Sequence, residues 1–234
     1  MNILLFLCAL LILVIGYEAY CIHRAFALAR PIIASAVPYT QEGDGSRVLF
    51  AGESTGVGTG ARDPQDSVAG RFGADAPDAT IENISKNGAR MSDLLSALQA
   101  LPQGKKFDII VLQIGGNDIL NFTSVSVVQE NLKKVLAEAK LRGNRVYLMT
   151  TGDVGNAPAF GPVLSHLYSV RTKELTPLFV EETTYAGVGY VDLFEAKETD
   201  PFALEPLKYH AGDGVHPSSE GYGIWYGKLK GAMK

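Results

Sequence analysis

The sequence predicts an α/β fold built on a mostly parallel five-stranded sheet, preceded by one N-terminal helix of membrane-crossing length. Three observations carry this. Beyond residue 46, short β-branched runs alternate with segments of helical period, the signature of βαβ units. Glycine-rich turns follow two of those runs directly. The chain also opens on twenty residues, 3–22, that are apolar apart from Gly16 and Glu18.

At about 1.5 Å per residue that opening run is about 30 Å long, one bilayer crossing. A cleavable signal peptide is the rival reading, and it would want a basic start and a nearby small-residue cleavage site. No Lys or Arg precedes the run, and Ala34-Ser35-Ala36 lies well beyond it, so an uncleaved single-pass anchor over residues 1–23 is preferred. Arg24 and Arg30 follow the run, which places the rest of the chain on the cytoplasmic side by the positive-inside rule. Cys8 and Cys21 stand about 20 Å apart along such a helix and cannot pair. A palmitoyl group on either is conceivable chemistry, but apolar packing is the commoner reason for such cysteines.

Residues 24–46 read as a linker, because PIIASAVPYTQEGDGS resists regular structure. Residues 47–234 then form one domain, long enough to bury a core without staples. Deleting residues 1 to about 40 is therefore expected to leave a soluble, active unit. Its strands are VLFA (48–51), TIENI (80–84), DIIVLQI (108–114), RVYLMT (145–150) and VGYVDL (188–193). Helices are expected at 91–101, 125–141, 162–183 and 220–233, the second with Ser124 as N-cap and Gly143 as its stop. The net charge of −4, with both signs interspersed, offers no basic face for nucleic acid.

A sheet of this kind collects its working residues in loops at the carboxyl ends of the strands. After the first strand comes AGESTGVGTG, with Ser54 in a glycine-rich turn open to a substrate. The turn lacks the Lys-Ser/Thr ending of a phosphate-binding loop. After the third strand comes QIGGNDIL, where Asn117 can aim a neutral amide donor at a developing oxyanion, or simply close an Asn-Asp turn. Near the C-terminus stands HAGDGVHPSSEGY: at a spacing of three, Asp213 can hold the Nδ1–H of His216 and leave Nε2 free to take a proton from a serine. A metal site on His210, Asp213 and His216 is the alternative, disfavoured because one loop offers the three ligands only in an awkward arc. His23 and His166 lack any such context.

Taken together, GES, the lone Gly88 in NISKNGARMSDLL, GGND and DGVHP resemble the four consensus blocks of the SGNH hydrolase superfamily (the GDSL-like esterases and lipases), in order and approximate spacing, over residues 47–234. The resemblance implies a three-layer α/β/α, flavodoxin-like sandwich and a serine esterase or thioesterase that cleaves acyl esters through an acyl-enzyme on Ser54. It further implies His216 as general base and Asp213 as its orienter, with an oxyanion hole formed by the N–H groups of Ser54 and Gly88 and the side chain of Asn117. No cofactor or metal is implied, and the substrate would be a small acyl ester or lipid-like molecule. The first block departs from the family in having Glu53 for the usual Asp. Two other readings stay open: a carbohydrate acetylesterase, for which the single Trp225 offers little sugar stacking, and a membrane-tethered binding module without turnover.

Overall fold

Buried on both faces, five short strands form one parallel sheet in the order β2-β1-β3-β4-β5: β1 Arg47–Gly52, β2 Thr80–Asn83, β3 Phe107–Gln113, β4 Gly143–Met149 and β5 Gly189–Val191. The computed structural model describes residues 3–234, so the first two residues of the expected anchor lie outside it. The helices are α1 Ile3–Ser35, α2 Ser54–Val57, α3 Val68–Asp75, α4 Met91–Gln99, α5 Gly116–Leu120, α6 Val125–Arg142, α7 Pro162–Ala186, α8 Pro201–Leu204, α9 Pro206–Tyr209 and α10 Ser219–Ala232.

Side chains along a strand point to alternate faces, and here each face meets helices. Leu49, Ala51, Ile110, Leu112, Val146 and Leu148 join one core, roofed by α4, α6 and α7. Their neighbours Val48, Phe50, Ile109, Val111, Tyr147 and Met149 join the other, under α3 and α10. The result is a three-layer α/β/α sandwich. Covering both faces explains why β1, β3 and β4 carry unbroken apolar stretches, residues 48–51, 109–112 and 146–149, rather than alternating ones. The chain leaves β1 toward β2 and returns across it to β3, so a crevice opens at their carboxyl ends, where this order changes direction.

The stretch expected as an irregular linker is helical through Ser35, with Pro31 inside the helix. Residues 3–13 are exposed throughout, yet Glu18, Ala25 and Ala29 are buried against the rest of the protein. Glu18 Oε1 accepts a 2.8 Å hydrogen bond from Val163 N at the start of α7. The N-cap of α7 is Gly161, which has no side chain of its own to cap with. A Cβ at that position would stand 2.5 Å from the Glu18 carboxyl carbon. The capping carboxylate that α7 lacks locally is therefore supplied by α1, at the helix end where negative charge is favoured. After α1 the chain still packs: Gln41 exchanges backbone hydrogen bonds with Ile81, at 3.1 and 2.8 Å, on the outer edge of β2. Ser124 does occupy the N-cap of α6, without a side-chain capping bond, and Gly143 passes straight from α6 into β4.

Candidate active site

Ser54 is the first residue of α2, two positions past the end of β1. Its turn is pinned on both sides. Glu53 N donates to Gln113 O on β3 (2.8 Å), and Thr59 N donates to Ser54 O (3.0 Å). The carbonyl of Thr59 in turn accepts from the fully buried Tyr222 hydroxyl at 2.7 Å. Ser54 Oγ lies 3.1 Å from His216 Nε2. The two residues are 162 positions apart in the chain and meet only because the loop before α10 folds over the end of β1.

His216 Nδ1 lies 2.6 Å from Asp213 Oδ2. The other carboxylate oxygen accepts from the backbone N–H groups of Val215 (2.9 Å) and His216 (3.0 Å). Burial of Asp213 works against its charge, but the ring and these two donors outweigh it and hold the carboxyl below its ordinary range. An ionised Asp213 fixes the Nδ1–H tautomer, which turns the free lone pair of Nε2 toward Ser54.

Glu53, 3% exposed, reaches across to the turn after β3. Its Oε1 accepts from Gly116 N, and its Oε2 accepts from both the backbone N and the side-chain Nδ2 of Asn117, all at 2.9 Å. Asn117 Nδ2 also donates to Ala89 O at 3.0 Å. Both amide protons of Asn117 are thus donated inward, so a substrate oxyanion would compete with Ala89 O for one of them. The N–H groups of Ser54 and Gly88 have no protein acceptor among the described residues. Gly88 adopts a positive φ of 78°, where an L side chain is strained. Asp118 Oδ2 accepts from Met91 N at 2.8 Å and so ties the same turn to the start of α4, just beyond Gly88. Burial pushes the Glu53 carboxyl up to about 7, against the hydrogen bonds from Asn117 and Gly116 that favour its charged form. Neither Glu53 as the strut between two turns nor Asp118 as the link to α4 was evident from the residues alone. The one signal was that a carboxylate persists at position 53.

Ser54, Gly88, Asn117 and His216 line one cavity of about 510 Å³, and Asp213 stands buried behind His216. Much of the remaining wall is apolar: Leu120, Val154, Phe160, Leu193 and Phe202, together with residues from α1. His210 also borders the cavity, but its Nδ1 faces Pro206 O at 3.1 Å and its ring packs edge-on against Phe202. No group of three or more metal-ligating side chains occurs among the described residues. Ser, His and Asp in hydrogen-bond sequence beside two free N–H groups can carry out acyl transfer by nucleophilic attack.

Residues 50–224 match the model of the GDSL-like Lipase/Acylhydrolase family. Esterase TesA of Pseudomonas aeruginosa is 29% identical over 163 residues, which are 65% of this chain and 77% of that protein. Among solved structures, the lipase Lip_vut3 from a goat rumen metagenome aligns with a TM-score of 0.64 at 22% identity, covering 80% of this chain and 97% of that one. The lipase/acylhydrolase from Enterococcus faecalis aligns with a TM-score of 0.59 at 23% identity, over 78% and 92% respectively. At these identities the structural matches speak for the fold.

Proposed function

The chain belongs to the GDSL-like lipase/acylhydrolase family and is a hydrolase acting on ester bonds; from that premise we propose that it cleaves acyl esters in two steps through Ser54. In the first, His216 Nε2 takes the Ser54 proton as Oγ attacks the ester carbonyl. The carbonyl π electrons move onto oxygen, facing the N–H groups of Ser54 and Gly88 and the amide of Asn117. Collapse breaks the bond to the leaving oxygen, which receives the proton from His216 and departs as an alcohol. In the second step water repeats the attack on acyl-Ser54, His216 again accepting and returning one proton. The carboxylic acid leaves and the serine is restored.

The observation that carries this reading is the continuous chain from Ser54 Oγ to His216 Nε2 at 3.1 Å and from His216 Nδ1 to Asp213 Oδ2 at 2.6 Å. The apolar cavity favours an acyl chain over a sugar: Trp225 borders it but is buried, packed against Phe202 and Tyr222. We read residues 47–234 as the catalytic domain and α1 as a retained membrane anchor. The capping of α7 by Glu18 supports retention, since cleavage would strip that cap. A fluorophosphonate applied to the full-length protein in detergent should label Ser54 and abolish ester hydrolysis in parallel. An unlabelled Ser54 in a folded protein would leave the non-catalytic binding module as the better reading.

A further inference from the structure

The half of α1 nearer the sheet does more than connect an anchor to a domain. Ile22, Ala25, Phe26, Ala29 and Ile33 border the same cavity as Ser54, Asn117 and His216. These positions recur at i, i+3/i+4, i+7 and i+11, the spacing of a single helix face. They span about 16 Å of that face, eleven rises of about 1.5 Å. At its middle the side chains are small, with Ala25 8% and Ala29 7% exposed, so the helix backbone approaches the cavity while leaving it open. The bond from Val163 N to Glu18 Oε1, two turns nearer the N-terminus, fixes the depth and rotation of that face. Above it on the same helix, residues 3–13 are apolar and exposed.

We propose that this face of α1, over residues 22–33, is one wall of the acyl-binding channel, and that the substrate is a long-chain acyl ester whose hydrocarbon lies along it. The proposal rests on the reading of Ser54, His216 and Asp213 given above. It makes α1 a determinant of chain length. Filling the wall should exclude long chains before short ones, because a short acyl group reaches Ser54 without running past Ala25 and Ala29.

The test uses the full-length protein in detergent micelles, with p-nitrophenyl laurate and p-nitrophenyl butyrate as substrates. Ala25→Trp and Ala29→Trp should each lower the laurate-to-butyrate ratio of kcat/KM by about tenfold or more, as a few methylenes excluded from an apolar pocket imply. Ala27→Trp, the same change on the exposed side of α1, should leave the ratio as it is. Labelling by diisopropyl fluorophosphate reports whether each variant is folded. Should the tryptophan variants not label, Phe26→Ala, a trimming of a side chain 65% exposed, serves instead and should lower the ratio about threefold. A ratio indifferent to these changes in labelled protein overturns the proposal while leaving the catalytic reading standing. A wild-type protein that neither labels nor hydrolyses either ester overturns the catalytic reading, and the proposal with it.

Discussion

Asn117 gives both its backbone and its side-chain N–H to a single oxygen, Glu53 Oε2, each at 2.9 Å. The amide proposed to face an oxyanion is therefore held by the residue next to the proposed nucleophile. Replacing it removes a transition-state contact and frees one bond of a buried carboxylate, with nucleophile and base left in place. Asn117→Ala should lower kcat about 10²- to 10³-fold, roughly 3–4 kcal/mol, with a much smaller change in KM. Ser54→Ala and His216→Ala should abolish turnover almost entirely, whereas Asn117→Ala should still be labelled slowly by a fluorophosphonate. Steady-state kinetics on one ester decide it: an unchanged kcat, or an effect mainly on KM, would make Asn117 a turn residue or a ground-state contact.

Stability should fall from acid toward neutral pH on account of Glu53. Its carboxyl is raised from an ordinary value near 4.5 to about 7. The folded state therefore holds that proton more tightly than the unfolded chain, and the stabilisation is complete below about 4.5 and lost as pH rises through about 7. A shift of this size corresponds to at most about 3 kcal/mol. Asp213 acts in the opposite sense: its lowered value gives stability present above the ordinary 3.8 and lost on further acidification. Urea titrations at several pH values compare wild type with Glu53→Gln, whose curve should lack the limb between about 4.5 and 7. Equal slopes for both proteins there would exclude Glu53 as the source.

Glu18→Ala should cost about 1 kcal/mol, the usual worth of an N-cap, and lower Tm by about 2–4 °C. The same change should loosen α1 from α7 and open the segment after it to limited proteolysis. Calorimetry and a timed trypsin digest suffice, and a variant as stable and as resistant as wild type would mean that the contact with Val163 carries no weight.

Two truncations separate the roles of the N-terminal segments. Both the protein starting at residue 36 and the one starting at residue 47 lack α1, but only the second also loses the pairing of Gln41 with Ile81 and the 2.8 Å bond from Gln41 Nε2 to Ala79 O. The shorter protein should have the lower Tm. Identical melting would show that residues 36–46 are the passive tether their composition suggests.

A chelator should leave ester hydrolysis unchanged, since His210 points Nδ1 at Pro206 O rather than toward a shared ligand position. Activity lost in EDTA and regained with a divalent ion would bring back the metal reading of His210, Asp213 and His216.

What could be read from the residues follows from where each signal resides. Strands such as β3 and β4 carry continuous apolar stretches, residues 109–112 and 146–149, because both faces are covered there, and they stand within two residues of their expected positions. Asp213 and His216 are three apart, so their pairing is a local property, visible before any fold is known. The helix α3 was not visible: Gly70 and Gly73 weaken its propensity, and the packing of Val68, Ala69 and Phe72 with a Ser67 cap makes it a helix. The continuation of α1 past Pro31 was hidden likewise, because proline normally ends a helix and here buried Ala25 and Ala29 hold the segment in place. The strut from Glu53 to Gly116 and Asn117 joins residues more than sixty positions apart, and no periodicity reports such a bond.

The seat of Glu18 against Val163 also sets a length. Residues 3–17 are the part of α1 beyond that contact, fifteen residues and so about 22 Å, against roughly 30 Å of hydrocarbon in an ordinary bilayer. Taken alone these fifteen residues are several ångströms shorter than that, so where α1 enters a bilayer the Glu18 contact would hold the exposed Val163 and Leu167 of α7 close to the headgroups.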